Sequence, residues 1–137
     1  MLRKLLLLLF AGFFMNTALL AQGGIWTHMH GSIGSWALGL YGTKGVANAT
    51  NTPSGRYEGA YWVDLSGNFW LFGGFAPQGY GNDLWKYDPI TKQWTWINGP
   101  QGVTDPDGEY GVIGVPSPLN YPCARTFGPN CWTDLNG

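Results

Sequence analysis

His28 and His30 stand two residues apart in a stretch that reads as extended, so both rings would project from one side of a strand, a spacing that metal sites use. No third ligand lies near them in sequence, and the positions 68 residues further on are Trp96 and Asn98, which are poor substitutes for a ligand pair. They are expected to be ordinary histidines at a strand end, with no metal bound. The run Asp105-Pro106-Asp107-Gly108-Glu109 brings carboxylates close together beside a glycine, as a calcium loop does. It has neither the remaining oxygen ligands nor the distal bidentate glutamate of such a loop, and a Pro-Asp-Gly turn accounts for it. Cys123 and Cys131 are the only cysteines. A strand between them would hold them about 26 Å apart, whereas a disulfide needs alpha carbons within about 7 Å. Strand and disulfide therefore exclude each other unless the chain bends near Gly128-Pro129.

The elements that would position these residues follow a leader of different character. Arg3 and Lys4 precede an apolar run at 5–14, then Asn16, Thr17 and small residues up to Ala21. This order of basic, apolar and small-residue regions reads as a signal peptide at 1–21, cleaved after Ala21, with no membrane segment remaining. The expected location is secreted, extracellular or periplasmic, where a disulfide is permitted. Residues 22–137 carry five basic and eight acidic side chains. Without clustered Lys and Arg they offer no nucleic-acid footprint. Charged residues make up 11% of the chain and aromatic residues 16%, the opposite of a disordered composition.

The chain repeats itself. Trp26-Thr27 and Gly31 recur 68 residues later as Trp94-Thr95 and Gly99. Tyr41-Gly42, Gly45-Val46, Asn51, Pro53 and Arg56 recur after 69 as Tyr110-Gly111, Gly114-Val115, Asn120, Pro122 and Arg125. Trp62, Asp64-Leu65 and Gly67 recur after 70 as Trp132, Asp134-Leu135 and Gly137. The unit is about 69 residues long and about one and a half units are present. Because Arg56/Arg125 and Asp64/Asp134 recur, they are expected to form structural hydrogen bonds between strands or units, not to perform catalysis.

One unit reads as an all-β, four-stranded meander with strands at about 57–64, 68–73, 82–87 and 93–97. Leu65-Ser66-Gly67 makes the first turn, and Asp88-Pro89-Ile90-Thr91-Lys92 the last. Phe69 and Leu71 alternate with Trp70 and Phe72, so both faces are apolar and each requires cover. The loops at 31–54 and 98–124 are the expected places for a ligand.

Gly73-Gly74 ending an aromatic strand, then Asn82-Asp83-Leu84-Trp85-Lys86-Tyr87-Asp88-Pro89, then Trp94 seven residues after Tyr87, resembles a kelch motif. The likeness is to exported bacterial kelch proteins related to the non-catalytic propeller of galactose oxidase, and it spans residues 25–137. It implies a partial β-propeller. Residues 25–29 would be the last strand of one blade, 57–97 a whole blade, and 126–134 the start of the next. Gly73, Gly74, Tyr87, Trp94, Arg56 and Arg125 would be structural motif residues, with the Trp94 ring approaching the glycine pair closely. The function so implied is a non-catalytic binding or scaffold module, without cofactor, whose partner is a protein or a glycan. Exposed blade edges would favour self-association. The alternatives are a fragment of a galactose-oxidase-like carbohydrate-active enzyme, for which no copper ligand set or catalytic residue can be named, and a gene remnant without independent function.

Overall fold

The computed structural model describes residues 27–102, 107–126 and 130–134. The signal peptide expected at 1–21 lies outside the described residues, as do Ile25, Trp26, Asp105 and Pro106. The described part is all-β, with no helix among the described residues. One antiparallel sheet contains β1 (Ala60–Val63), β2 (Phe69–Ala76), β3 (Gly79–Asp88) and β4 (Gln93–Asn98), paired in sequential order.

The first turn is held by Asp64. Its Oδ1 accepts the backbone N–H groups of Ser66 and Asn68, both at 2.9 Å, and its backbone carbonyl accepts that of Gly67 at 3.0 Å. Oδ2 takes the Trp70 indole N–H at 2.8 Å, which fixes that ring parallel to Trp62 with centroids 5.7 Å apart. The Trp70 bond, followed by that of the Asn68 side chain, lowers the Asp64 carboxyl from 3.8 to about 2. Its grip on the turn is therefore complete above pH 3.8 and is lost as pH falls through about 2. A carboxyl-carbon NMR titration is expected to find that midpoint, and Trp70→Phe should raise it towards 3.8. A midpoint unmoved by the substitution would contradict this origin. The last turn uses the same device, with Asp88 Oδ1 accepting the Ile90 amide at 2.8 Å and Lys92 turning through φ 58°.

The middle hairpin differs from the sequence reading. Gly73-Gly74 does not end the second strand, which continues to Ala76 and returns through Pro77-Gln78 into Gly79. Gly73 and Gly74, at φ 62° and 94°, instead form an irregularity between the Phe72 and Gly74 pairings, a bulge that lets the strand pass through. What approaches them is backbone. A Cβ on Gly73 would lie 2.6 Å from the Arg125 carbonyl, and one on Gly74 would lie 2.8 Å from that of Tyr57. The Trp94 ring packs against Tyr87 and Trp85 instead, at 5.0 and 6.3 Å.

The first strand is also shorter than 57–64. Tyr57 pairs with Phe75, but Glu58 at φ 58° breaks the ladder before Ala60. Residues 27–29 and 130–134 form no strand.

Register places Tyr61, Val63, Phe69, Leu71, Trp85, Tyr87, Trp94 and Trp96 on one face. Near β3 and β4 that face is covered by the segment before the sheet, with Tyr41 4.8 Å from Trp85 and 5.3 Å from Trp96. Near β1 it is open, and Tyr61 is 81% exposed. The outer edge of β4 is closed by the same segment. Gly45 N–H donates to the Trp96 carbonyl at 2.8 Å, while Asn48 N–H and the Asn51 side chain donate to that of Trp94 at 3.3 and 3.0 Å. An edge strand that would otherwise offer bare carbonyls is thereby capped.

Candidate functional site

The most concentrated chemistry lies where this covering segment meets β3. Arg56 reaches Asp83 with both terminal nitrogens, Nη1 to Oδ1 at 2.6 Å and Nη2 to Oδ2 at 2.8 Å. Nη1 also donates to the Gly73 carbonyl at 2.9 Å, and Nη2 to Ser54 Oγ at 3.0 Å. Tyr41 Oη and Trp85 Nε1 each donate to Asp83 Oδ2 at 2.7 Å. The two charged side chains are 6% and 4% exposed. Alternation along β3 puts Asp83 and Trp85 on the covered face, and the segment 41–56 delivers the other members from outside the sheet.

Burial by itself would raise the Asp83 carboxyl. The bond and charge of Arg56, then the Trp85 and Tyr41 donors, outweigh it and hold the carboxyl below its ordinary value. Arg56 is affected in the converse way: burial would lower it, but Asp83 raises it above the ordinary guanidinium range. The Tyr41 hydroxyl is raised well above the ordinary phenol range, first by burial and then by the neighbouring carboxylate. The space beside the cluster is about 10 Å³, room for no more than a single water. With four donors on one carboxylate and no room for a substrate, this arrangement is a fastener.

A second, open site lies on the same face towards the β3–β4 turn. Thr27, His28, Met29, His30, Tyr87 and Trp94 line a groove of about 450 Å³. His30 Nε2 faces the Ala49 carbonyl at 3.1 Å, so that nitrogen carries the proton and Nδ1 of the neutral ring is an acceptor. Among the described residues, neither His30 Nδ1 nor Tyr87 Oη, both buried, has a hydrogen-bond partner. Tyr87 is 8% exposed, so its hydroxyl is a costly group to leave unsatisfied. His28 lines the groove beside His30, and no group of three or more His, Cys, Asp or Glu side chains suited to a metal occurs among the described residues.

Gly73, Gly74 and Arg56 are brought together at the fastener, while Tyr87 and Trp94 lie at the groove. Arg125 inserts its backbone into the bulge: Gly74 N–H donates to its carbonyl at 2.8 Å, and its own N–H donates to the Gly81 carbonyl at 3.1 Å. Its exposed side chain contacts Cys123 Sγ at 2.7 Å. No disulfide joins Cys123 to Cys131. Glu109 pairs its backbone with Tyr121.

Asp83 and Tyr41 as members of the fastener were missed from sequence, and His30 was weighed there only as a metal ligand, not as a partner of Tyr87 in a groove. The available signal for Asp83 was a carboxylate two residues before Trp85, and so on the same face of the strand as that ring; Tyr41 shared its recurrence with Arg56. Family models, curated proteins and solved structures contain no match to this chain.

Proposed function

We propose that this chain is an exported, non-catalytic binding or scaffold module of the kelch-repeat type, and that it holds a hydroxylated ligand of the glycan class in the His30–Tyr87–Trp94 groove. The observation that carries the reading is the pair of unused buried polar atoms there, an O–H donor and a ring-nitrogen acceptor, set beside aromatic faces. A sugar hydroxyl can accept from one and donate to the other, while the apolar face of its ring packs on an aromatic side chain. The apolar residues Tyr61, Val63 and Phe69, all exposed, support self-association as a second property of the same module.

Binding of the full chain to a glycan array, followed by calorimetry on the best ligand, tests the first property. Tyr87→Phe keeps the ring and removes the hydroxyl, and it is expected to weaken binding about tenfold, equivalent to about 1.4 kcal/mol. Wild-type affinity in that variant, or an array blank for every glycan, would sink the reading. Capture only of a protein partner would redirect it to the loops.

A further inference from the structure

The two copies of the repeat contain the same folded loop; the second meets the sheet through its Asn120, Pro122 and Arg125 backbone, and only the first gives its glycine, asparagine and tyrosine donors to a sheet. In the first, Leu40 and Thr52 exchange two backbone hydrogen bonds of 2.8 Å; 69 residues on, Glu109 and Tyr121 exchange bonds of 2.9 and 2.8 Å. Val46 N–H to the Thr43 carbonyl, 3.0 Å, becomes Val115 to Val112 at 3.0 Å, and Asn51 to Asn48, 3.1 Å, becomes Asn120 to Ser117 at 3.0 Å. The Asn51 side chain holds the Val46 carbonyl at 2.9 Å, as that of Asn120 holds Val115 at 3.2 Å. Gly42 and Gly45 turn through φ 62° and 78°, Gly111 and Gly114 through 57° and 78°.

What differs is what each loop faces. The first gives Gly45 N–H, Asn48 N–H and the Asn51 amide to the carbonyls of β4, and Tyr41 and Arg56 to Asp83 on β3. Tyr41 is consequently 7% exposed, whereas its counterpart Tyr110 is 61% exposed. Ile113 and Val115 are exposed too, as is Arg125.

We infer that residues 108–125 form a docking surface for a second sheet built like β1–β4. Its third strand would carry an aspartate two residues before a tryptophan, and its outer strand would present two carbonyls two residues apart. Arg125 and Tyr110 would close on that aspartate, and Gly114 N–H, Ser117 N–H and the Asn120 amide would cap the strand edge. The occupant is set by chemistry already present in this chain, because the like-folded loop at 39–56 receives such a sheet from the residues that follow it. The inference does not depend on the ligand of the groove, and either can fail alone.

The test is a chain in which residues 1–125 are followed by a second copy of 57–137, so that Arg125 precedes the added sheet as Arg56 precedes the first. Amide hydrogen exchange at Gly114 and Ser117 is expected to slow at least about 100-fold relative to the original chain, as edge amides do when a strand pairs with them. Alanine in place of the added copy of Asp83 should reverse most of that protection while leaving the first sheet protected. Unchanged exchange at Gly114 and Ser117 overturns the inference, whether the added sheet is folded or not. Protection that appears in the original chain as its concentration rises overturns it as well, since the surface would then belong to contacts between copies.

Discussion

Asp83→Ala is expected to cost about 3–5 kcal/mol, since it leaves a buried guanidinium without its counter-charge, and so to remove much or all of the stability of a domain of this size. Arg56, Tyr41 and Trp85 would all lose their shared acceptor while remaining largely enclosed. Asp83→Asn should be little better, because an amide presents only one acceptor atom and turns donors towards donors. Urea unfolding followed by tryptophan fluorescence measures the loss, and a variant with the wild-type midpoint would refute the fastener. The same carboxylate sets an acid limit. Its folded value lies below its unfolded one, so its stabilisation is fully present above about pH 4 and disappears as pH falls through the folded value. Wild-type stability should decline below that point, and the decline should be absent in Asp83→Asn to the extent that the variant folds.

Trp85→Ala is the second large effect. Trp85 is fully buried, packs against both Tyr41 and Trp94, and donates to Asp83. Removing an enclosed indole costs about 3–5 kcal/mol. Trp85→Phe separates volume from hydrogen bonding. It keeps most of the ring and deletes one of four donors to the carboxylate, with an expected cost of about 1–2 kcal/mol. If the two variants unfold at the same urea concentration, the ring's packing is not what holds the segment 41–56 to the sheet. Because Trp85 and Asp83 touch, their combined replacement should cost less than the two single losses added together.

The order and pairing of the strands were legible because the strands carry alternating large residues and the first and last turns a recognisable device, Asp64 with Gly67 and Asp88 with Lys92. Gly73 and Gly74 misled because glycine in an aromatic run marks either a stop or a bulge. Here the chain bulges: the Arg125 backbone needs the space beside Gly73, and Pro77-Gln78 supplies the real turn three residues further on. The fastener was half legible. Recurrence pointed to Arg56 as structural, but none of the repeat matches involves Asp83, so the sequence did not name it as the partner. The groove was not legible, since an unsatisfied hydroxyl at Tyr87 depends on which atoms fail to reach it, and no local pattern records that.

The cap on β4 has a consequence for how the molecule is made. Residues 45–51 leave the ribosome more than forty residues ahead of the carbonyls they cover, a delay of about 2–9 s at ordinary elongation rates. The capping segment is therefore made before the strand it covers, and closure of that edge must await the arrival of β4. Slowing translation across 57–98 should lengthen that vulnerable interval, whereas slowing it earlier should have no such effect.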